Sequence, residues 1–472
     1  MKPSAAGWRV AAVTGVVVVV GVAFFCWRHP ARPAGTRPPS EHVTLPPPIK
    51  AYFRAKEREA GEIVRRQNQE LDPAVEKYFT TILAGDLGAA QTQFRALSRQ
   101  GQNQAATGPL QGPVWQALID VQLAADALAG SDPDSVLAMA RAMTNSLTPG
   151  CIYFGGTDPG RGLPPLVCAA PGDPFFVVSQ NPLADSRYEE YLRGEYGSSI
   201  RLPTTNEVQE CFDDYTADAG KRLAANQLTP GEDVRMVDGK ATVSGQVGVM
   251  KINALIAKFI FDHNADREFF VEESFPLDWM YPYLSPSGLL MRLNHQPLAE
   301  MPAEDLRRDA DFWTAEMARK TGFKLTPATS LGEVCDYAKS VFAGQGRSRF
   351  KGDARFMDSA YQYKAWSKWR SSIAGIYAWR VMQAPPEYRA TKDPQRQELT
   401  DAADLAFRQA FALCPSSPEA VYRYVNFLLQ SGRVDDAILL AKTCLACLPQ
   451  GDMQTSSIQD LVRQLGSFKK PH

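Results

Sequence analysis

At 472 residues, with 44% hydrophobic and 22% charged side chains, the chain is long enough for more than one domain and apolar enough to bury sizeable cores. A formal net charge of -1, with no arginine-rich or lysine-rich block, argues against a general nucleic-acid binder, because such proteins carry a strongly basic face. Eight cysteines spread over this length do not make a disulfide framework.

Taken in order, Val10 to Trp27 is a run of 18 positions without a charge, near the minimum for a helix crossing hydrocarbon. Lys2 and Arg9 precede it, while Arg28, His29, Arg32 and Arg37 follow. Residues 1–28 are therefore expected to form a single transmembrane anchor, with the amino terminus inside and the bulk of the chain extracytoplasmic. Seven prolines between His29 and Lys50 mark 29–50 as a spacer that resists packing and favours polyproline geometry. Residues 51–148 read as helical. Tyr78, Phe79 and Ile82 lie on one helix, Gly85 punctuates, and Ala90, Phe94 and Leu97 lie on the next. Two further helices, Val114 to Leu128 and Pro133 to Leu147, follow, the second capped by Ser131-Asp132.

Strand signals begin at Cys151-Ile-Tyr-Phe154, an apolar run bounded by Pro149-Gly150 and Gly155-Gly156. Pro174 to Gln180 and Glu268 to Ser274 read as further core strands, Leu289 to Leu293 as a fourth, and Asp238-Gly239 as the turn of a hairpin. With helices between them, residues 149–343 are expected to form an α/β domain, its mostly parallel sheet covered by helices on both faces. Residues 344–383 read as a connecting segment and a long aromatic helix, and 384–472 as a helical region.

Open α/β sheets bind ligands outside the carboxyl ends of their strands. The candidates for such a rim are Asp158 and Arg161 after the first strand, Gln180, Asn181 and Asp185 after the second, and Glu272 and Glu273 after the third. Asp278, Trp279 and Tyr281 in the following aromatic loop could stack a sugar ring or anchor a partner chain. The plainer alternatives are an Asp158–Arg161 ion pair closing its own turn, solvated or capping strand-end acids, and a small core under the loop. Gly155-Gly156 lacks the third glycine of a nucleotide fingerprint, no cofactor is implied, and no metal-ligand spacing is present. Cys444 and Cys447 share a helical face and read as packed core.

In the carboxyl-terminal region, Tyr422, Tyr424 and Leu428 build a first helix from Pro418, Gly432 turns, and Ala437, Ala441 and Cys444 line a second that Pro449 closes. Pro415 and Pro449 stand 34 residues apart, the period of the tetratricopeptide repeat, which this stretch resembles. Residues 399–415 resemble its second helix alone, and Gly85, Ala90 and Phe94 match it loosely. A second resemblance rests on Tyr153 to Arg161, Ser179 to Asp185 and Glu272 to Tyr281. These segments are similar to the soluble extracytoplasmic part of bacterial membrane proteins of the GT-C glycosyltransferase-like class. The membrane-embedded acidic site of such transferases has no counterpart here, so the resemblance implies a fold and not the activity.

Two functions follow as expectations. The first is a membrane-anchored scaffold, not an enzyme, whose helical repeats hold a protein partner. The alternative is a carbohydrate-binding or glycosyl-related domain that takes a glycan at the Asp158, Arg161 and Glu272 rim. Convergence of these groups in an open cleft would favour the glycan; burial or dispersal would favour the scaffold.

Overall fold

The computed structural model describes residues 42–468, apart from 104–111, 157–158, 169–174, 238–239, 274–275, 344–349 and 450. These residues divide into two compact units, one running to 280 with 292–295 added, the other comprising 281–291 and the chain from 296 onward.

The first unit opens with α1 (Pro47–Arg66), whose buried Ile49, Tyr52, Phe53, Ala60 and Val64 recur at helical spacing. Helices α2 (Pro73–Ala84) and α3 (Leu87–Asn103) form a hairpin about Gly85, which adopts the left-handed φ of 89° that ends α2. Helix α4 (Pro113–Gly130) is buried over most of its length, and α5 (Pro133–Thr144) starts from Asp132, whose carboxylate accepts the Ser135 amide. Next come β1 (Cys151–Gly155), the single turn α6 (Pro159–Gly162) and β2 (Phe175–Ser179). Helices α7 (Ser186–Tyr196) and α8 (Thr205–Ala224) lead to the antiparallel pair β3 (Asp233–Val237) and β4 (Lys240–Ser244). Helix α9 (Gly245–Asp262) and β5 (Phe269–Glu272) follow. Strand β1 pairs in parallel with both β2 and β5, and Phe154 faces Val271 in register, both fully buried.

Strands β6 (Leu284–Ser287) and β7 (Leu290–Leu293) complete a sheet of order β2-β1-β5-β7-β6. The second unit is otherwise helical: α10 (Ala303–Thr321), α11 (Leu331–Ala338), the short α12 (Ala354–Asp358), α13 (Ala360–Met382), α14 (Asp393–Leu413), α15 (Pro418–Gln430), α16 (Val434–Cys447) and α17 (Thr455–Ser467). Buried Trp366, Trp369 and Tyr377 on α13 form its core with Trp313 of α10. Arg370 lies among them, paired with Asp309 at 2.8 Å.

Two expectations need correction. The described residues are 66% helical with a small mixed sheet, and do not form an α/β domain with a mostly parallel sheet wrapped by helices on both faces. Its strands are only four or five residues long, and after β1 the chain makes one turn of α6 and a 3-10 turn at Pro164–Val167 in place of a covering helix. Apolar runs bounded by glycine and proline foretold where strands form but not how far a sheet extends. The transmembrane anchor, and with it the extracytoplasmic placement, is likewise corrected. Among the described residues no helix is long and apolar enough to cross a membrane, and the 10–27 run lies outside them.

Candidate functional site

Parallel register puts matched residues on the same side of a sheet, so Ser179, Gly155 and Glu272 stand in a row at the carboxyl ends of β2, β1 and β5. Tyr153, two residues before Gly155, shares their face. Gly155 has no side chain, and the turn after β1 folds into the space. A Cβ at 155 would sit 2.7 Å from the Gly160 carbonyl oxygen, and one at 160 would sit 1.9 Å from Glu272 Oε2. The Gly156 amide donates to Glu272 Oε2 at 3.2 Å. Glu272 and Glu273 are 1% and 2% exposed, so the rim is closed over its acids and is not an open cleft. Burial, then the charges of Glu272 and Glu273, pushes the Tyr153 hydroxyl well above its ordinary pKa.

Arg161 turns inward. Its Nε pairs with Asp120 Oδ1 of α4 at 2.5 Å, and its Nη2 donates to both the Gln116 carbonyl and side-chain oxygens, at 3.2 and 3.0 Å. Its guanidinium stacks 4.9 Å from the Tyr188 ring, whose hydroxyl accepts the Ser179 amide at 2.6 Å. The other Asp120 oxygen takes the Tyr191 hydroxyl at 2.7 Å and lies 3.2 Å from Lys56 of α1, which also meets Glu59 at 2.7 Å. Burial opposes the Asp120 carboxylate, but Arg161 and Lys56 outweigh it and hold its pKa below the usual value. The same burial opposes the Lys56 ammonium, which Glu59, Tyr191 and Asp120 stabilise enough to raise its pKa. Both shifts lead away from neutrality and hold Asp120 and Lys56 in their charged forms.

The remaining rim candidates disperse. Asp158 lies outside the described residues. Gln180 is fully buried and its amide donates to the Gly155 carbonyl. The Asn181 carbonyl accepts from Asn253 at 2.5 Å. Asp185 caps α7 through the Arg187 amide at 3.0 Å. The Asp278 side chain is 97% exposed, 4.0 Å from Lys251. Trp279 packs against Phe261 with ring centroids 5.2 Å apart, and Tyr281 stacks on Trp379 at 5.4 Å. Among the described residues of the set, Arg161, Glu272 and the backbone of Gln180 and Asn181 help to build the strand ends.

Sequence reading missed Lys56, Gln116, Asp120, Tyr188 and Tyr191. One signal was available: Asp120 interrupts the apolar face formed by Ala117, Leu118, Val121 and Ala124 on α4. A carboxylate at such a position requires a cationic partner, though nothing local says which.

In the second unit, Gly432 makes the turn between α15 and α16 with φ of 74°. Ala437 and Ala441 are fully buried on α16, and the buried Tyr424 donates to Asp404 at 2.8 Å. Arg433 joins Asp404 at 2.6 Å, while half-buried Pro449 follows the end of α16. A shallow hollow of about 280 Å³ at this turn is lined by Gly432, Arg433, Val434, Asp435, Asp436 and Phe468. Burial pushes the Cys447 thiol up to about 12 and Cys444 higher still, which leaves both as inert packing groups. Among the described residues no cluster of three or more His, Cys, Asp or Glu could hold a metal ion. Comparison with protein-family models, with curated proteins and with solved structures finds no match.

Proposed function

We propose that the chain is a protein-interaction scaffold whose carboxyl-terminal helices form a short tetratricopeptide-like array that holds a protein partner. The observation that carries this reading is the serial packing of α14 on α15, α15 on α16 and α16 on α17, each helix against the next along the chain. In helical repeats such neighbour-to-neighbour packing leaves one side of each hairpin for ligands. The residues that permit close approach are those of the repeat pattern: Ala437 and Ala441 between helices, Gly432 at the turn and Tyr424 beneath it. The polar stripe of α15, where Gln430 donates to Asn426 at 3.1 Å, faces away from that core.

A glycan at the strand rim finds less support. Arg161 is engaged with Asp120, Glu272 accepts a backbone amide under the α6 turn, and Asp278 stands apart in solvent.

Site-specific photo-crosslinking separates the two. With benzoylphenylalanine placed at Gln430 of the full chain, one protein adduct of reproducible identity is expected, and with the probe at Asp278 none. Binding on a glycan array that Glu272→Gln abolishes, without any adduct at Gln430, would overturn the reading.

A further inference from the structure

Three half-buried aromatic rings from three segments of the second unit lie in a row. Tyr281 stacks on Trp379 with centroids 5.4 Å apart and planes 28° from parallel, and Trp379 on Tyr388 at 6.5 Å and 29°. Around them, at the carboxyl end of α13, stand three arginines whose hydrogen-bond acceptors among the described residues are all main-chain carbonyls. Arg380 donates to Leu298 and Pro282, Arg389 to Ala384, and Arg396 to Val381 and Ala390. Arg380 is 1% exposed, and its Nε has no acceptor among the described residues. Burial lowers its pKa to about 10, as expected of a guanidinium desolvated without a counter-charge. Arg389 and Arg396 are exposed. The acids of this region do not neutralise them: Glu300 is taken by Lys392 at 2.6 Å, and among the described residues neither Glu387 nor Asp393 forms an ion pair.

We infer that this elbow between α13 and α14 is a docking surface for an acidic, extended segment of a protein partner. The inference rests on the scaffold reading above and adds the partner's chemistry. Tryptophan, tyrosine and arginine are the residue types that concentrate binding energy at protein interfaces, and here all three meet on one patch. The outward edges of the stacked rings offer apolar contact to the prolines of an extended chain. The exposed guanidinium groups of Arg389 and Arg396 select for carboxylates and bind them in two-point geometry. A sugar is served less well, because the ring faces it would need are turned toward one another.

The test uses the full chain and a fluorescein-labelled dodecapeptide of alternating glutamate and proline, followed by anisotropy. A lysine–proline peptide and an oligothymidylate of equal length serve as competitors. Saturable binding of the glutamate–proline peptide is expected. It should weaken at least tenfold in the Arg389→Glu, Arg396→Glu double variant and several-fold between 0.05 and 0.3 M salt. Both substituted side chains are exposed, so folding is expected to survive and is checked by circular dichroism. Absent binding, binding unchanged in the double variant, or preference for the lysine peptide or the oligonucleotide would overturn the inference. Should the Gln430 adduct persist while the peptide fails to bind, the docking surface falls and the scaffold reading stands. Should the adduct be lost while the peptide still binds, the helical array falls as the partner site and the elbow surface stands.

Discussion

The strand ends of the first unit and the α15–α16 hairpin of the second were both conspicuous in sequence, yet they are built in opposite ways. The hairpin is local: Tyr424, Gly432, Ala437 and Ala441 lie within one repeat length, and each contributes through helical spacing or backbone freedom. The strand ends depend on distant partners. Arg161 meets Asp120 across 41 residues, Asp120 meets Tyr191 across 71, and Lys56 meets Tyr191 across 135. A periodic pattern can therefore announce a surface, whereas charged residues beside a strand announce only that some partner must exist. In the first unit that partner lies inside the protein for Arg161 and Glu272, which meet Asp120 and the Gly156 amide.

The largest effect that would sharpen this contrast is Asp120→Ala. It strands the Arg161 and Lys56 cations in a buried setting, and unfolding in urea should show a loss of about 3–5 kcal/mol. Gly160→Ala comes next, because its methyl would enter the space of Glu272 Oε2. A loss of about 1–3 kcal/mol is expected, relieved in part by adding Glu272→Ala. Retained stability in the single variant would mean that the turn is not seated on the strand ends. On the hairpin side, Gly432→Ala meets no neighbouring atom and should cost only about 1–2 kcal/mol, the strain of a left-handed backbone. Smallest is Asp278→Ala, which should stay within about 0.5 kcal/mol in thermal unfolding, as befits a solvated side chain.

Acid offers a further way to separate the regions. Asp120 has its pKa lowered in the fold, so its contribution is fully present above the ordinary carboxylate value and is lost as pH falls through the lower folded value. Urea titrations below pH 4 should show a proton-linked decline in wild type that is missing in Asp120→Asn. The same slope in both would assign the acid sensitivity to other carboxylates.

Much of the secondary structure was legible. The run of Cys151 to Phe154 between glycines and prolines is a strand, and the strands flanking 238–239 pair antiparallel, the expected turn itself lying outside the described residues. Less legible was the extent of the sheet, since β6 falls between the aromatic loop and the Leu289 to Leu293 strand, where Pro286 argues against a strand. Helix α14 begins at Asp393, ahead of the segment where repeat spacing first placed it, because Pro394 at its start favours initiation. Of the candidate site, Glu272 at the end of a core strand was legible, but its place beside Gly155 and its enclosure were not. Only the close approach of Gly160, a tertiary fact, turns an acid at a strand end into a buried one.

A double-mutant cycle on Asp120 and Arg161 tests most directly whether these strand ends serve the fold. Asp120→Leu, Arg161→Met and their combination would be compared by equilibrium unfolding in urea. The double variant should be more stable than the sum of the single losses predicts, with a coupling of about 1–3 kcal/mol. Additivity within about 0.5 kcal/mol would contradict the pairing and return Arg161 to the pool of groups free to meet a ligand.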